Sequence, residues 1–227
     1  MLLGQVGERA RSTLEATHRA REEGLGACRS AIQACSRAIR AVHRDQREVT
    51  EARVSEAKAA LRRAQEVLAP HPTVAAAGFL HDAEKEYAEA QLTVALIDAC
   101  NRAATECRDH SDRRELSLPA AAELGVGLPA WLNGLAEAAT ELRRHLLDRL
   151  RSGELAVAEL LLRAMEDVYD VLVTIDYPDA VTGGLRRSTD ALRGVLERSR
   201  GDLTLTLVQA RLQAALQQDA GTEAGLG

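Results

Sequence analysis

Aromatic residues are scarce in this 227-residue chain: one Trp, one Phe and three Tyr, or 2% of the sequence. Modules that read single-stranded nucleic acid by stacking bases on rings need several exposed aromatics, which this composition can hardly supply. Lysine is nearly missing too, since Lys58 and Lys85 are the only two among 29 basic residues and the remainder are arginine. Acidic residues number 34, for a formal charge of −5 and a pI near 5.7. No global positive field therefore draws the chain to nucleic acid or to a membrane, and any such attraction must come from a local patch. No stretch approaches the roughly 18 uncharged apolar residues of a membrane span. The opening Met1-Leu2-Leu3 run is too short for a signal-peptide core. No C-x-x-C motif occurs. Cys28 and Cys35, like Cys100 and Cys107, are seven residues apart. On a helix that is roughly 10 Å, too far to chelate one metal or close a local disulfide. They are expected to be core thiols of a reduced, cytoplasmic protein.

What remains is 46% hydrophobic, dominated by alanine and leucine among abundant arginine and glutamate, with few β-branched clusters. That pattern predicts an all-α chain with enough apolar content for a core. Helices are expected over residues 6–44, loosened at Gly24 and Gly26, then over 46–69, ending at Pro70-His71-Pro72, and over 74–104. Residues 105–118 read as a polar loop containing Asp109, His110, Ser111 and Asp112. A turn of helix from Pro119 ends at Gly125-Val126-Gly127, and Pro129 opens a helix to Ser152-Gly153. Another runs from Glu154 to Ile175, taking in Val171-Leu172-Val173-Thr174-Ile175. The last follows Thr182-Gly183-Gly184 and ends near Gln218. Residues 1–218 read as a single helical domain and 219–227 as a flexible tail.

Placing residues at about 100° per step sorts the helices into faces. Cys28, Ala31, Ile32, Cys35, Ile39 and Val42 share one side of the first helix; Arg29, Arg37, Arg40 and Arg44 share the other. In the last helix Leu185, Leu192, Leu196, Leu203 and Leu207 form a core stripe, edged by Arg186, Arg193, Arg200 and Arg211. Guanidinium groups suit phosphate because their planar fork donates two hydrogen bonds at once. A solvated face paired with neighbouring glutamates explains the same periodicity. Glu86 falls at the margin of the stripe formed by Phe79, Ala83, Tyr87, Ala90, Val94 and Ile97, with Glu89 just outside it. Glu137 and Glu141 are spaced i,i+4 with Arg144 and Asp148, opposite Leu132, Leu135, Ala139, Leu142 and Leu146. Two helices presenting two carboxylates each can hold Mg²⁺ or Mn²⁺, hard ions that prefer oxygen; a solvated face accounts for the same residues.

Several segments, in order over roughly residues 25–205, resemble the translin superfamily, which includes translin and translin-associated factor X. They look most like its prokaryotic members. Cys28-Arg29-Ser30-Ala31-Ile32 and Ser36-Arg37-Ala38-Ile39-Arg40-Ala41-Val42-His43-Arg44 are similar to the family's opening pattern. Glu86-Tyr87-Ala88-Glu89-Ala90 looks like the E-Y-x-E-A of the factor X branch. Trp131-Leu132-Asn133-Gly134-Leu135-Ala136-Glu137-Ala138-Ala139-Thr140-Glu141-Leu142-Arg143-Arg144 resembles the Y-L-x-G-(L/V)-A-D-x-x-G-E-L-x-R helix. Asp176-Tyr177-Pro178-Asp179-Ala180 and Gly184-Leu185-Arg186-Arg187 resemble the prokaryotic C-terminal stretch.

The resemblance implies a translin-like bundle of about seven helices that assembles as a hollow homo-octamer with nucleic acid inside. It further implies a metal-dependent endoribonuclease acting on single-stranded RNA, with Glu86 and Glu89 as one acidic pair and Glu137 and Glu141 as the other. Two departures stand out: Glu137 where the family commonly has Asp, and Thr140 where glycine is common. Arg37, Arg40, Arg44, Arg186, Arg193 and Arg200 then fit a nucleic-acid-facing surface that grips phosphates more than bases. A non-catalytic single-stranded RNA- or DNA-binding protein of the same fold is the alternative, and a helical scaffold without nucleic acid is a third.

Overall fold

The segments with a 3.6-residue apolar period are helical in the computed structural model of the chain, which describes residues 3–106 and 117–224, with side chains through Gln218. Cys107 and the expected polar loop at Asp109, His110, Ser111 and Asp112 lie outside the described residues. Among those described there is no strand. Six long helices are α1 (Leu3–Val42), α2 (Arg47–Leu68), α4 (Phe79–Glu106), α6 (Leu128–Arg151), α7 (Leu155–Leu172) and α9 (Leu185–Ala224). Three are single turns: α3 (Pro72–Ala75), α5 (Ala121–Leu124) and α8 (Asp179–Thr182). No described helix is long and apolar enough to cross a membrane.

The residues group into two compact units. The first comprises Met1–Ala95, Leu118–Leu135 and Tyr177–Leu185, and the second Leu96–Ser117, Ala136–Asp176 and Arg186–Gly227. In the first, a short turn joins α1 to α2, with Asp45 in left-handed conformation at φ 53°. The buried positions of α1 are Ala20, Gly24, Ala27, Ala31, Ala34, Ala38 and Ala41, beside Cys28 and Cys35. Their alternating four- and three-residue steps make a heptad seam built of the smallest side chains, which lets a partner helix approach closely. Ile32, Ile39 and Val42, expected in the core, are only half-buried because the alanines take the centre of the face. Gly24 does not loosen α1, which runs through it unbroken. A Cβ there would meet Leu68 Cδ2 of α2 at 2.8 Å, so this glycine serves close packing.

In the second unit Ala158, Leu161, Met165, Val168 and Leu172 of α7 are buried, as are Leu192, Leu196 and Leu203 of α9. Arg143 of α6 donates to Ser199 Oγ at 3.1 Å and to Asp202 Oδ2 at 2.8 Å on α9. The Cys100 thiol reaches the Leu160 carbonyl at 3.8 Å.

Three boundaries differ from the sequence pattern. The helix expected over 74–104 is broken at Gly78, whose φ of 97° is open to glycine alone at low cost. α7 stops at Leu172, and Val173 and Thr174 close it as a turn rather than extending it to Ile175. α9 continues past Gln218 to Ala224, since no proline interrupts it and a lone glycine costs only about 1 kcal/mol. Beyond Leu203, α9 exposes Leu205, Val208, Leu212 and Leu216 in a single file.

Ala31 has no exposed surface, so a larger side chain there must push the seam apart. Ala31→Leu is expected to destabilise the protein by about 1–3 kcal/mol. An unchanged urea unfolding midpoint would show that the α1 seam is loosely packed.

Candidate functional site

The site is set by how α6 begins. Glu84 of α4 accepts from Gln65 Nε2 of α2 at 2.9 Å, and its other oxygen accepts from the Gly127 amide at 3.1 Å. Gln65 also donates to the Gly125 carbonyl at 2.9 Å, so one carboxylate and one amide pin the strand of chain entering α6. Asn133 donates to the carbonyls of Pro129 and Thr182 at 2.8 and 2.7 Å, which ties the same end of α6 to α8. At Gly134 the α6 backbone lies directly on α4. A Cβ there would stand 2.8 Å from Ala88 Cβ, 2.8 Å from the Lys85 carbonyl and 2.9 Å from the Glu89 nitrogen.

Around that crossing stand the carboxylates. Glu86 is half-buried, with Lys85 Nζ 3.7 Å from one of its oxygens. Glu89 is 8% exposed, buried rather than outside the apolar stripe as its helical angle suggests, because the face it occupies is covered. One turn after Gly134, Glu137 is half-buried. Glu86, Glu89 and Glu137 each offer a carboxylate oxygen, and the three oxygens lie within 4.8 Å of one another. Helix α6 is buried at Ala136, Ala138 and Ala139, so Glu137 and Glu141 do not lie on a fully solvated face as their periodicity allowed. Glu141 is outside the three-residue group; it lines a groove of about 480 Å³ with Thr140, Arg143, Arg144, Leu147, Asp148 and Arg151.

The donor chemistry fits a hard cation. Burial pushes the Cys35 thiol up to about 12, with the charges of Glu86 and Glu89 adding to the effect. Cys28 rises to about 11 through burial and then Glu84 and Asp82. Cys100 rises to about 12 through burial and then Asp167. The thiols stay protonated at neutral pH, and the three-residue group itself offers only carboxylate oxygens, a donor set suited to Mg²⁺ or Mn²⁺.

The six arginines read from the sequence are all exposed. Arg37, Arg40 and Arg44 form no ion pair among the described residues, nor does Arg186. Arg200 pairs with Glu166 of α7 at 2.6 Å, and Arg193 lies 4.0 Å from Asp190 one turn away. The Arg200 pairing is of the kind the solvated-face reading allows, a glutamate on a neighbouring helix, and depends on the packing of α9 against α7. Gly134 and Glu84 were also missed as site-forming residues. A glycine inside a helix flanked by apolar residues is the signal for a close crossing.

No family model matches the chain. Uncharacterized protein MJ0175 of Methanocaldococcus jannaschii is 28% identical over 200 residues, which cover 87% of this chain and 81% of that protein. Among solved structures, archaeal AfC3PO in complex with duplex RNA is 30% identical with a TM-score of 0.71, over 90% of this chain and 97% of that one. AfC3PO alone is 29% identical with a TM-score of 0.73, covering 90% and 98%. Apo-NeC3PO from Neurospora shares the fold at a TM-score of 0.71 and 17% identity, covering 91% and 98%.

Two outcomes follow from this geometry. Gly134→Ala places a methyl group against backbone atoms that cannot rotate away, so α6 must lift from α4 at a cost of about 1–3 kcal/mol; a urea midpoint equal to that of the unaltered protein would refute the close crossing. Cys28, Cys35 and Cys100 are expected to resist iodoacetamide at pH 8 in the folded protein and to react in urea. Site-resolved mass spectrometry showing rapid native alkylation of Cys35 would mean its thiol is neither buried nor protonated.

Proposed function

The chain belongs to the translin superfamily, and from that membership we propose that it is a metal-dependent endoribonuclease. The observation that carries this reading is the convergence of Glu86, Glu89 and Glu137 within 4.8 Å on α4 and α6. These three would hold Mg²⁺ or Mn²⁺, with Glu141 assigned to the same site by its place in the family pattern. When bound, the ion would supply charge neutralisation at a phosphodiester and acidify water. The chain's own residues do the rest. Gly134 and the Glu84–Gln65 clasp hold α6 against α4, so the carboxylates meet the substrate in fixed positions. The extra methylene of Glu137, relative to the family's usual Asp, sits on a half-buried side chain whose reach ends within the group.

Arg37, Arg40, Arg44, Arg186, Arg193 and Arg200 are proposed to hold RNA by its phosphates. The burial of four of the five aromatic residues supports that choice over base stacking. Tyr87 is fully buried, Phe79, Trp131 and Tyr169 are partly covered, and only Tyr177 is exposed. Trp131 Nε1 is also committed to the Pro119 carbonyl at 2.9 Å. Single-stranded RNA is the substrate that the factor X resemblance implies, with single-stranded DNA as a further ligand. Duplex RNA is a second reading, favoured because AfC3PO was solved with one and because phosphate gripping does not require unpaired bases. The match along 90% of the chain supports treating residues 1–218 as one translin-like domain. The exposed file of Leu205, Val208, Leu212 and Leu216 supports self-association, which we place at a hollow homo-octamer. Free Cys28, Cys35 and Cys100 accord with a cytoplasmic location.

Labelled single-stranded and duplex RNA incubated with and without Mn²⁺ test the reading directly. Cleavage is expected only with the ion. Glu86→Gln, Glu89→Gln and Glu141→Gln are expected to abolish it while RNA binding persists or tightens, because each removes a negative charge that repels phosphate. Glu137→Asp is expected to preserve or raise the rate. Binding without Mn²⁺-dependent cleavage of either RNA would replace the nuclease with the non-catalytic RNA-binding protein.

A further inference from the structure

The arginines of α6 are not equivalent. Arg143 is spent on Asp202 and Ser199 of α9. Arg149 donates to Glu154 at 3.0 Å and to His145 at 3.2 Å. Arg151 pairs with Asp148 at 3.1 Å. Arg144 is exposed and forms no ion pair or side-chain hydrogen bond among the described residues, yet it lines the same 480 Å³ groove as Glu141. It stands three residues beyond Glu141 and seven beyond Glu137, two turns of one continuous helix, or roughly 10 Å along its axis.

An RNA strand brought to Glu86, Glu89 and Glu137 carries negative charge toward negative charge. A fixed cation a short distance along the strand offsets that repulsion and sets the register of the backbone. Lysine is nearly missing from this chain, and the neighbouring arginines of α6 are already bonded. The guanidinium of Arg144 keeps its donors available and faces a groove with room for a phosphodiester.

We propose that Arg144 is the phosphate-positioning residue of this site, gripping a backbone phosphate beside the one at the carboxylates. This inference rests on the proposed RNA-cleaving reading and adds a residue whose contact is made to RNA rather than to metal. Its contribution is therefore measurable with no ion present and no cleavage.

Fluorescence anisotropy of a fluorescein-labelled single-stranded RNA, and of the same strand annealed to its complement, is measured in EDTA over a series of NaCl concentrations. Loss of one phosphate contact is expected to flatten the slope of log affinity against log salt by about 0.7 on the single strand. Arg144→Ala should show that change, and Arg144→Lys, which keeps the charge, should restore the slope. Arg151→Ala, on the same groove but paired with Asp148, should match the unaltered protein. With Mn²⁺ added, Arg144→Ala should raise KM more than it lowers kcat.

An Arg144→Ala slope equal to that of the unaltered protein overturns the assignment even if Mn²⁺-dependent cleavage is intact. An equal flattening by Arg151→Ala also overturns it, since the groove would then act only through its total charge. A flattened slope specific to Arg144→Ala, in a protein that binds RNA but never cleaves it, sustains the phosphate contact and sinks the nuclease reading alone. Failure of the unaltered protein to bind either RNA removes both.

Discussion

Two helix backbones in direct contact determine what the carboxylates of this protein can do. At Gly134 there is no side chain to hold α6 away from α4, and the Lys85 carbonyl and Glu89 nitrogen occupy the space a Cβ would need. Side chains that project from either helix beside such a crossing are brought to one place. Glu86 lies within the Lys85–Glu89 stretch of α4 that meets Gly134, Glu89 ends that stretch, and Glu137 follows Gly134 by one turn on α6. The Glu84–Gln65 clasp and the Asn133 bonds to Pro129 and Thr182 fix the beginning of α6 in rotation and translation.

The same economy of small residues recurs in α1. Its alanine seam leaves the partner helix close and the cysteines enclosed, which in turn keeps Cys35 protonated beside Glu86 and Glu89. A chain with five aromatic residues cannot build its core on large rings, so it relies on close approach of backbones and on leucine. The arginines complement this plan from outside. Arg143, Arg149 and Arg200 are taken up by Asp202, Glu154 and Glu166, and Arg151 by Asp148 of its own helix, whereas Arg29, Arg37, Arg40 and Arg44 of α1 form no ion pair among the described residues.

Much of this architecture can be read from residue order. Helix ends coincide with Pro70-His71-Pro72, Gly125-Val126-Gly127, Ser152-Gly153 and Gly183-Gly184, where local backbone chemistry decides. The ordered motifs around Glu86 and Trp131 identify the family. What residue order does not carry is the outcome of helix meeting helix. Glu89 reads as just outside the apolar stripe from its angle on α4 alone, and is buried because that face is covered. Gly24 reads as a weak point in α1 until Leu68 fills the space beside it. Arg200 reads equally as a phosphate contact or as the partner of a neighbouring glutamate, and only the packing of α7 shows that partner to be Glu166. The Gly78 break was legible in principle, but a lone glycine inside a periodic stretch is often tolerated and does not announce a positive φ.

The carboxylate group also sets an energetic requirement. Two ionised carboxylates at about 4.8 Å repel by roughly 3 kcal/mol at an effective dielectric of 20, and Glu86, Glu89 and Glu137 make three such pairs. Lys85 Nζ, half-buried and 3.7 Å from Glu86, brings positive charge to the group. A fold selected for stability alone would place one alanine at any of these positions and relax the repulsion. Under the metal-dependent reading proposed above, a divalent cation held by these oxygens would be favoured by the same closeness of charge and would stabilise the folded protein on binding.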